Sequence, residues 1–250
     1  MNKLIIGLAD KTAELHTEPG FLLIDDGPIA DTFLDRFKRA KEFNPREHSF
    51  NPLPMTYRTA REFASVVFGD EGKDTLTVRN GKRALTRMLM DATRLDKIEA
   101  DRSDEQKEAA AVVGDMLLSP VLRKVLCGHK QFTFREGRSS VVARINRADI
   151  GDHDARILGA LLISQFKGQI IVPDFGFYAR DFHTSLIREN RLIAGVYTLS
   201  ELNPKLRQMC LLMEKEAAQC TYDDARVLAE YRGLVPDTIA FGDFVKNAMA

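Results

Sequence analysis

A single acidic residue follows a strongly apolar run in the stretch GQIIVPDFGFYAR, which covers residues 168–180. Residues 170–173 are apolar or proline, and Asp174 comes directly after them. A carboxylate at the carboxyl end of a buried strand can hold Mg²⁺ or a water molecule bound to that ion. Hydrolysis at such an ion also needs a second carboxylate, which orients the attacking water. The next residue is Phe175, whose side chain cannot do this.

Other titratable groups follow Asp174 closely enough to supply a missing acid or base. Asp181, His183 and Glu189 fall in the helical pattern after the strand, and an imidazole can act as a base near neutral pH. Glu201 comes at the end of the next predicted strand. It is either a compensating acid or the first-turn acid of the following helix, where the helix dipole favours a carboxylate. The helix interpretation is the favoured one.

The elements that position these groups alternate between strands and helices. Apolar runs bounded by turn residues predict strands at 3–9, 20–26, 131–137, 139–146, 169–174 and 192–200. Periodic apolar positions predict helices at 28–43, 59–69, 74–96, 103–128 (split at Pro120), 152–168, 179–190, 201–219 and 221–234. Strand and helix alternate in the second half, which is typical of a parallel sheet with helices on its faces.

This pattern predicts a three-layer α/β fold with a mostly parallel sheet and helices on both faces. Residues 1–55 and 128–250 form the α/β core in this interpretation, and residues 56–127 form a helical insertion within the same domain. A Ser103 cap with Gln106 three positions later predicts the start of one helix of that insertion, because this pair forms a capping box.

Composition limits the classes of protein that fit. The 250 residues are 44% hydrophobic and carry 36 basic and 36 acidic side chains, so a wholly basic nucleic-acid-binding surface is excluded while a local basic groove is not. Three cysteines without a CxxC pair favour a reducing, cytoplasmic setting. The first apolar run is too short for a signal peptide, and no apolar stretch approaches the roughly 18 residues that span a membrane.

Several short sequence segments occur in an order that is typical of a known protein family. The segment FLLIDDGPIADTFLDRFKRAKEFNPREHSFNPL has acids at a strand end (Asp25 and Asp26) and an FNPL phrase at residues 50–53. SSVVARINRADIGDHDARILGALL, QIIVPD and SLIRENRLIAGVYTLSEL follow after the helical region. Over about residues 20–235 the chain resembles the FtsK–HerA superfamily of P-loop ATPases, most of all the conjugative coupling ATPases of type IV secretion and related phage ATPases.

The resemblance implies a RecA-like fold, ATP and magnesium as cofactors, and a role in DNA translocation or packaging. Implied partners are DNA, further copies of the chain in an oligomer, or another motor subunit. Arg188 and Arg191 lie where the family often has an arginine that reaches a neighbour's nucleotide. They fit a polar helix face equally well.

The chain departs from the family at three motifs. A phosphate-binding loop has the form G-x-x-x-x-G-K-[ST], but the nearest candidate, GLADKT, supplies Gly7, Lys11 and Thr12 with two residues too few and with Asp10 in place of the second glycine. The acid beside Asp174 is missing, and Glu201 replaces the family's glutamine. These departures predict a non-hydrolysing binding or accessory subunit. An active ATPase with a rewired site and an unrelated α/β interaction module are the alternatives.

Overall fold

The computed structural model describes residues 2–7, 18–25, 27–69, 75–99, 103–129, 132, 139–217 and 220–249. Strands in these ranges form one seven-stranded sheet in the order β3-β4-β2-β5-β6-β1-β7, and every pair in it is parallel. The strands are β1 (Lys3–Ile6), β2 (Phe21–Ile24), β3 (Lys41–Phe43), β4 (Val141–Ala143), β5 (Gln169–Val172), β6 (Leu192–Val196) and β7 (Glu214–Ala217).

Helices surround the sheet and provide most of the connections between strands. They are α1 (Pro28–Arg36), α2 (Tyr57–Phe68), α3 (Leu76–Asp91), α4 (Asp104–Met116), α5 (Pro120–Cys127), α6 (Arg147–Ile150), α7 (Asp152–Gln165), α8 (Phe175–Tyr178), α9 (Thr184–Arg188), α10 (Pro204–Cys210), α11 (Tyr222–Tyr231) and α12 (Ile239–Met249). Short 3-10 turns cover Leu95–Lys97, Asp181–His183 and Leu199–Glu201.

The central strands are buried on both faces, which explains their continuous apolar sequences. Successive side chains of a strand point to opposite faces. In β1, Ile5 joins one hydrophobic cluster while Leu4 and Ile6 join the other. The sheet is therefore the middle of three layers, as the sequence predicts.

The smaller cluster is formed where α1 covers one face of the sheet. Ile29 and Phe33 of α1 are buried against Phe21, Leu23 and other strand residues. The rings of Phe21 and Phe33 meet edge to face with centroids 5.3 Å apart. Two N–H groups at the start of α1, those of Gly27 and Ala30, donate to Asp25 Oδ2 at 3.0 and 2.8 Å, so the acid at the end of β2 caps this helix.

The larger cluster lies on the other face and has α7 at its centre. Nine of the 14 residues of α7 are buried, which is typical of a helix enclosed by other elements. Gly159 allows close packing here, because a Cβ at this position would lie 2.3 Å from the ring of Tyr178 in α8. Apolar residues of α2, α4, α5 and α8–α12 belong to the same cluster.

Several predictions from the sequence are confirmed. The parallel sheet with alternating helices is present, α2 ends at Gly69, and the 103–128 segment divides at Pro120 into α4 and α5. The capping box of Ser103 and Gln106 is formed in both directions. Residues 57–69, 75–99 and 103–127 contain helices and no strand, whereas the division into core and insertion stays a prediction.

Two predicted helices are wrong at their ends, because each runs on into an edge strand. The helix predicted over 28–43 ends at Arg36, and Lys41–Phe43 pairs with β4. The helix predicted over 201–219 gives way to β7, whose sequence EKEA has high helix propensity but pairs with β1. Pairing with a neighbour overrides local preference at both edges.

The segment predicted as one helix over 179–190 is a 3-10 turn followed by the short α9. Most of the strand predicted over 131–137 lies outside the described residues. Within the described ranges, no helix combines the length and the apolar character that crossing a lipid bilayer requires.

The packing of α1 gives a test of the fold. Replacing Phe33 by Ala removes a fully buried ring from the smaller cluster, and we expect a loss of about 3–5 kcal/mol in the free energy of unfolding in urea. Leu34→Ala on the same helix is the control, since Leu34 is only half-buried and its loss should be clearly smaller. Equal effects of the two changes would contradict the packing described for this helix.

Candidate functional site

The carboxyl ends of β1, β5 and β6 bring three of the predicted site residues to one edge of the sheet. Gly7 follows β1, Asp174 follows β5, and Glu201 lies in the turn after β6. Because β6 lies between β1 and β5, all three strand ends are close neighbours. Ligands of open α/β sheets bind at this edge, so these residues define the candidate site.

Gly7 adopts a backbone conformation that favours glycine, with φ of 99°. Its N–H donates to the carbonyl oxygen of Val196 at 2.9 Å, which ties the end of β1 to the end of β6. Lys11 and Thr12, the other residues predicted to bind phosphate, lie outside the described residues. Their role stays a prediction.

Asp174 is held by an arginine that follows another strand. Nη1 of Arg147 donates to Asp174 Oδ2 at 2.9 Å, and both side chains are a third or more exposed. Arg147 is the first residue of α6, directly beyond the end of β4. The strand between β4 and β5 in the sheet is β2, whose chain leaves toward α1 on the opposite face. Side chains that follow β4 and β5 can therefore contact each other across the end of β2.

The residue after Asp174 is directed into the core. Phe175 is fully buried in the larger cluster, where its ring lies 5.8 Å from the ring of His183. No rotation of this side chain would place a polar group near Asp174. The residue next to the strand-end acid therefore contributes an apolar side chain to the core and no polar group to the site.

Glu201 is brought close to Asp174, on the adjacent strand end. It lies against the backbone of Gly176, since a Cβ on that glycine would be 2.4 Å from Glu201 Oε2. The same oxygen accepts the N–H of Tyr197 at 3.3 Å. Burial raises the pKa of Glu201, and the negative charge of Asp174 adds to that rise. Both interpretations of Glu201, second acid and first-turn acid, are compatible with this placement.

A cavity of about 700 Å³ opens beside Glu201 between α2, α7 and the segment after β5. Its polar lining includes Arg156, Arg180 and Asn203. The guanidinium of Arg156 lies 4.6 Å from the centroid of the Phe177 ring, and that of Arg147 lies 4.3 Å from the same centroid. The Phe177 ring thus contacts two guanidinium groups at this edge of the sheet.

Arg188 and Arg191 are not part of this group. Arg191 donates to the carbonyl oxygen of Gly168 at 3.0 Å, to that of Phe166, and to Glu189 at 2.7 Å. These contacts lie at the amino ends of β5 and β6, on the edge opposite to Asp174. Arg188 ends α9 and is exposed. A contact of either arginine with a neighbouring subunit's nucleotide stays a prediction.

His183 does not fit the role of a base at neutral pH. It is fully buried, and its Nδ1 accepts the N–H of Arg180 at 3.1 Å. Burial, with a smaller contribution from the charge of Arg180, lowers the pKa of His183 to about 3. The helical pattern in the sequence showed the position of His183 but gave no sign of this burial.

Arg147 is the main residue of the site that the sequence did not identify. Its position directly after the VVARIN strand was a usable signal, because the carboxyl ends of parallel strands share one edge of a sheet. Gly176 was a second one, since a glycine two residues after the strand-end acid permits a close approach.

The donor types at this edge match a magnesium ion in part. Mg²⁺ is usually held by one or two carboxylates together with waters and substrate phosphates, and Asp174 and Glu201 are carboxylates on adjacent strand ends. The described residues contain no cluster of three or more acidic, histidine or cysteine side chains suited to a metal. Arg147 also holds Asp174, so an ion there would compete electrostatically with the guanidinium.

Several solved structures share this fold. VirB4 of Thermoanaerobacter pseudethanolicus superposes with a TM-score of 0.63 and 13% identity, over 99% of this chain and 84% of that one. The plasmid coupling protein TrwB in complex with ADP and Mg²⁺ gives a TM-score of 0.58 and 12% identity, over 92% and 74%. TrwB with the non-hydrolysable ATP analogue ADPNP gives 0.56 and 13%, over 90% and 72%.

The fold is therefore that of the conjugative P-loop ATPases, and the resemblance read from the sequence is confirmed at the level of the fold. No protein-family model matches the chain, and no curated protein sequence matches it either. At 12–13% identity the likeness concerns architecture alone, and the side chains of the site have to be judged from their own contacts.

The buried His183 gives a test by pH. The unfolded chain binds a proton on this imidazole near pH 6.5, whereas the folded chain does so only near pH 3. The contribution of the neutral imidazole to the free energy of unfolding is therefore complete above about pH 6.5. It is lost as the pH falls toward 3, with a slope of about 1.4 kcal/mol per pH unit. Urea unfolding between about pH 4.5 and 7.5 measures this slope.

His183→Asn is the matched variant, because an amide oxygen can replace Nδ1 as the acceptor for Arg180 N–H. We expect the pH slope of unfolding free energy to be smaller in this variant than in the wild type. Equal slopes would show that His183 titrates normally in the folded chain, contrary to its burial.

Proposed function

We propose that this chain is a non-hydrolysing member of the DNA-translocating and packaging P-loop ATPase superfamily, which acts as a binding or accessory subunit. Its fold supports this proposal, since the neighbouring structures VirB4 and TrwB have the same architecture. Proposed partners are DNA, further copies of the chain, or a separate motor subunit. Nucleotide and Mg²⁺ would bind weakly through Gly7, Lys11, Thr12 and Asp174.

The observation that carries the proposal is the burial of Phe175. Phosphoryl transfer to water depends on a residue that orients the attacking water beside the metal-holding acid. Phe175 stands directly after Asp174 and is 0% exposed, so this position contributes packing and no carboxylate. Hydrolysis also requires a carboxylate that is available to a metal ion. The carboxylate of Asp174 is already paired with the guanidinium of Arg147.

A second candidate function follows from the placement of Glu201. This carboxylate lies near Asp174 on the adjacent strand end, and burial raises its pKa. A raised pKa makes a carboxylate a stronger base, which suits a group that takes a proton from water. An active ATPase would use Glu201 in place of the missing neighbour of Asp174. Its carboxylate would first have to leave the N–H of Tyr197.

The third interpretation is an interaction module unrelated to motors. It would be favoured by a fold without a parallel sheet, or by Asp174 away from a strand's carboxyl end. Asp174 instead lies two residues beyond the last residue of β5 in a parallel sheet.

Phosphate release from ATP and Mg²⁺ tests the proposed function. We expect wild-type turnover to equal that of Asp174→Ala, since neither chain can orient a water molecule for attack. Asp35→Ala, an exposed change far from the sheet edge, serves as the control for preparation background. Turnover that is present in wild type and lost in both Asp174→Ala and Lys11→Ala would overturn the proposal.

Calorimetry at millimolar ATP and ADP separates the two candidate functions. Weak binding that is unchanged in Glu201→Gln is expected for a non-hydrolysing binder. The rewired ATPase requires nucleotide binding together with turnover that Glu201→Gln abolishes, because the amide cannot accept a proton. Absence of any heat of binding would remove the ATPase alternative and also the weak nucleotide binding proposed for this site.

A further inference from the structure

Arg147 has a position at the sheet edge that its role as a simple surface ion pair does not explain. Its guanidinium reaches across the end of β2 to join two strand ends, those of β4 and β5, that are not adjacent in the sheet. The carboxylate it reaches is Asp174, the group best placed to hold a divalent cation. A divalent cation at this edge would therefore share its ligand with the arginine.

One carboxylate on this edge cannot easily serve both cations. The donor Nη1 of Arg147 lies 2.9 Å from Asp174 Oδ2, a direct charge-assisted hydrogen bond. A divalent ion bound to the same carboxylate would lie within a few ångströms of the guanidinium and would be repelled by it. Ion binding at Asp174 would therefore be favoured if Arg147 moved away.

A second acceptor for Arg147 is already in place. Asp152 at the start of α7 has Oδ1 3.7 Å from Arg147 Nε, and its side chain is 67% exposed. The Phe177 ring supports the guanidinium at 4.3 Å and does not depend on Asp174. Arg147 can leave Asp174 while it keeps both an ionic partner and its aromatic contact.

We propose that Arg147 is a positioning residue that competes with a divalent cation for Asp174, and that its transfer to Asp152 admits the ion. This proposal concerns the same carboxylate as the proposed function and rests on it for the location of the site. It explains how the strand-end acid is kept paired in the absence of nucleotide. It also predicts that ion affinity is set by a residue from a different loop.

Titration of Mn²⁺ alone, followed by the electron paramagnetic resonance signal of the free ion, tests the competition without any activity. We expect Arg147→Gln to bind Mn²⁺ about tenfold more tightly than wild type, because one positive charge next to the carboxylate is removed. Arg156→Gln is the matched control: Arg156 also lies over Phe177, but no ion pair links it to Asp174. Because Arg156 makes no direct ion pair with Asp174, any gain in Mn²⁺ affinity should be clearly smaller than that of Arg147→Gln.

Asp152→Asn gives an independent test in the opposite direction. Without the second acceptor Arg147 stays on Asp174, so this variant should bind Mn²⁺ more weakly than wild type. In the Arg147→Gln background the same change should have little effect, because no guanidinium remains to be accepted. If the ion pair were purely structural, the effect of Asp152→Asn on Mn²⁺ affinity would be the same with and without Arg147.

Several results would overturn the proposal. The proposal would be wrong if Arg147→Gln bound Mn²⁺ no more tightly than wild type. It would also be wrong if the double variant with Arg147→Gln and Asp174→Asn bound Mn²⁺ as tightly as Arg147→Gln alone. If Arg147→Gln fails to fold, as judged by circular dichroism, equal Mn²⁺ affinity of Asp152→Asn and wild type decides against it. ATP turnover by the wild type would overturn the proposed function alone and would leave the Mn²⁺ comparison standing.

Discussion

The ion pair between Arg147 and Asp174 is the interaction on which the character of the site depends. It exists because of the strand order, which places β2 between β4 and β5 and sends the chain after β2 to the opposite face. Two strand spacings of about 4.8 Å separate the ends of β4 and β5, a distance that only a long side chain can cover. Arginine covers it and presents a planar donor to the carboxylate.

The second acid of the site is constrained by backbone contacts. Glu201 lies in a turn that begins directly after β6, against Gly176, and accepts the N–H of Tyr197. Burial and the charge of Asp174 both raise the pKa of Glu201. Arg147 pairs with Asp174 directly and so supplies positive charge at this edge. A protein group therefore supplies positive charge at this edge, a role that metal ions and basic side chains share in phosphoryl-transfer sites.

The sequence predicted the parts of the fold that depend on local pattern. Buried strands such as β5 and the enclosed helix α7 have long apolar runs, and the capping box at Ser103 was formed as predicted. The edge strands β3 and β7 were missed because their pairing partners, not their own residues, decide their conformation. Asp174 and Glu201 were found as strand-end acids, but Arg147 was missed, since its contact depends on which strands are neighbours across 27 positions of sequence.

Each side chain around Asp174 comes from a different connection: Arg147 from the one after β4, Phe175 from the one after β5, and Glu201 from the one after β6. The backbone of these connections is fixed by packing in the larger cluster, where Phe175, Tyr178 and Leu199 are buried. Single replacements at their exposed ends can therefore remove or add charge at the site without altering the sheet. The same separation fits a fold shared with VirB4 and TrwB at 12–13% identity, because the architecture constrains the backbone of the connections and not the charges that they carry. The proposed competition at this edge accordingly concerns the partner of Asp174, an arginine or an ion, and not the fold that presents it.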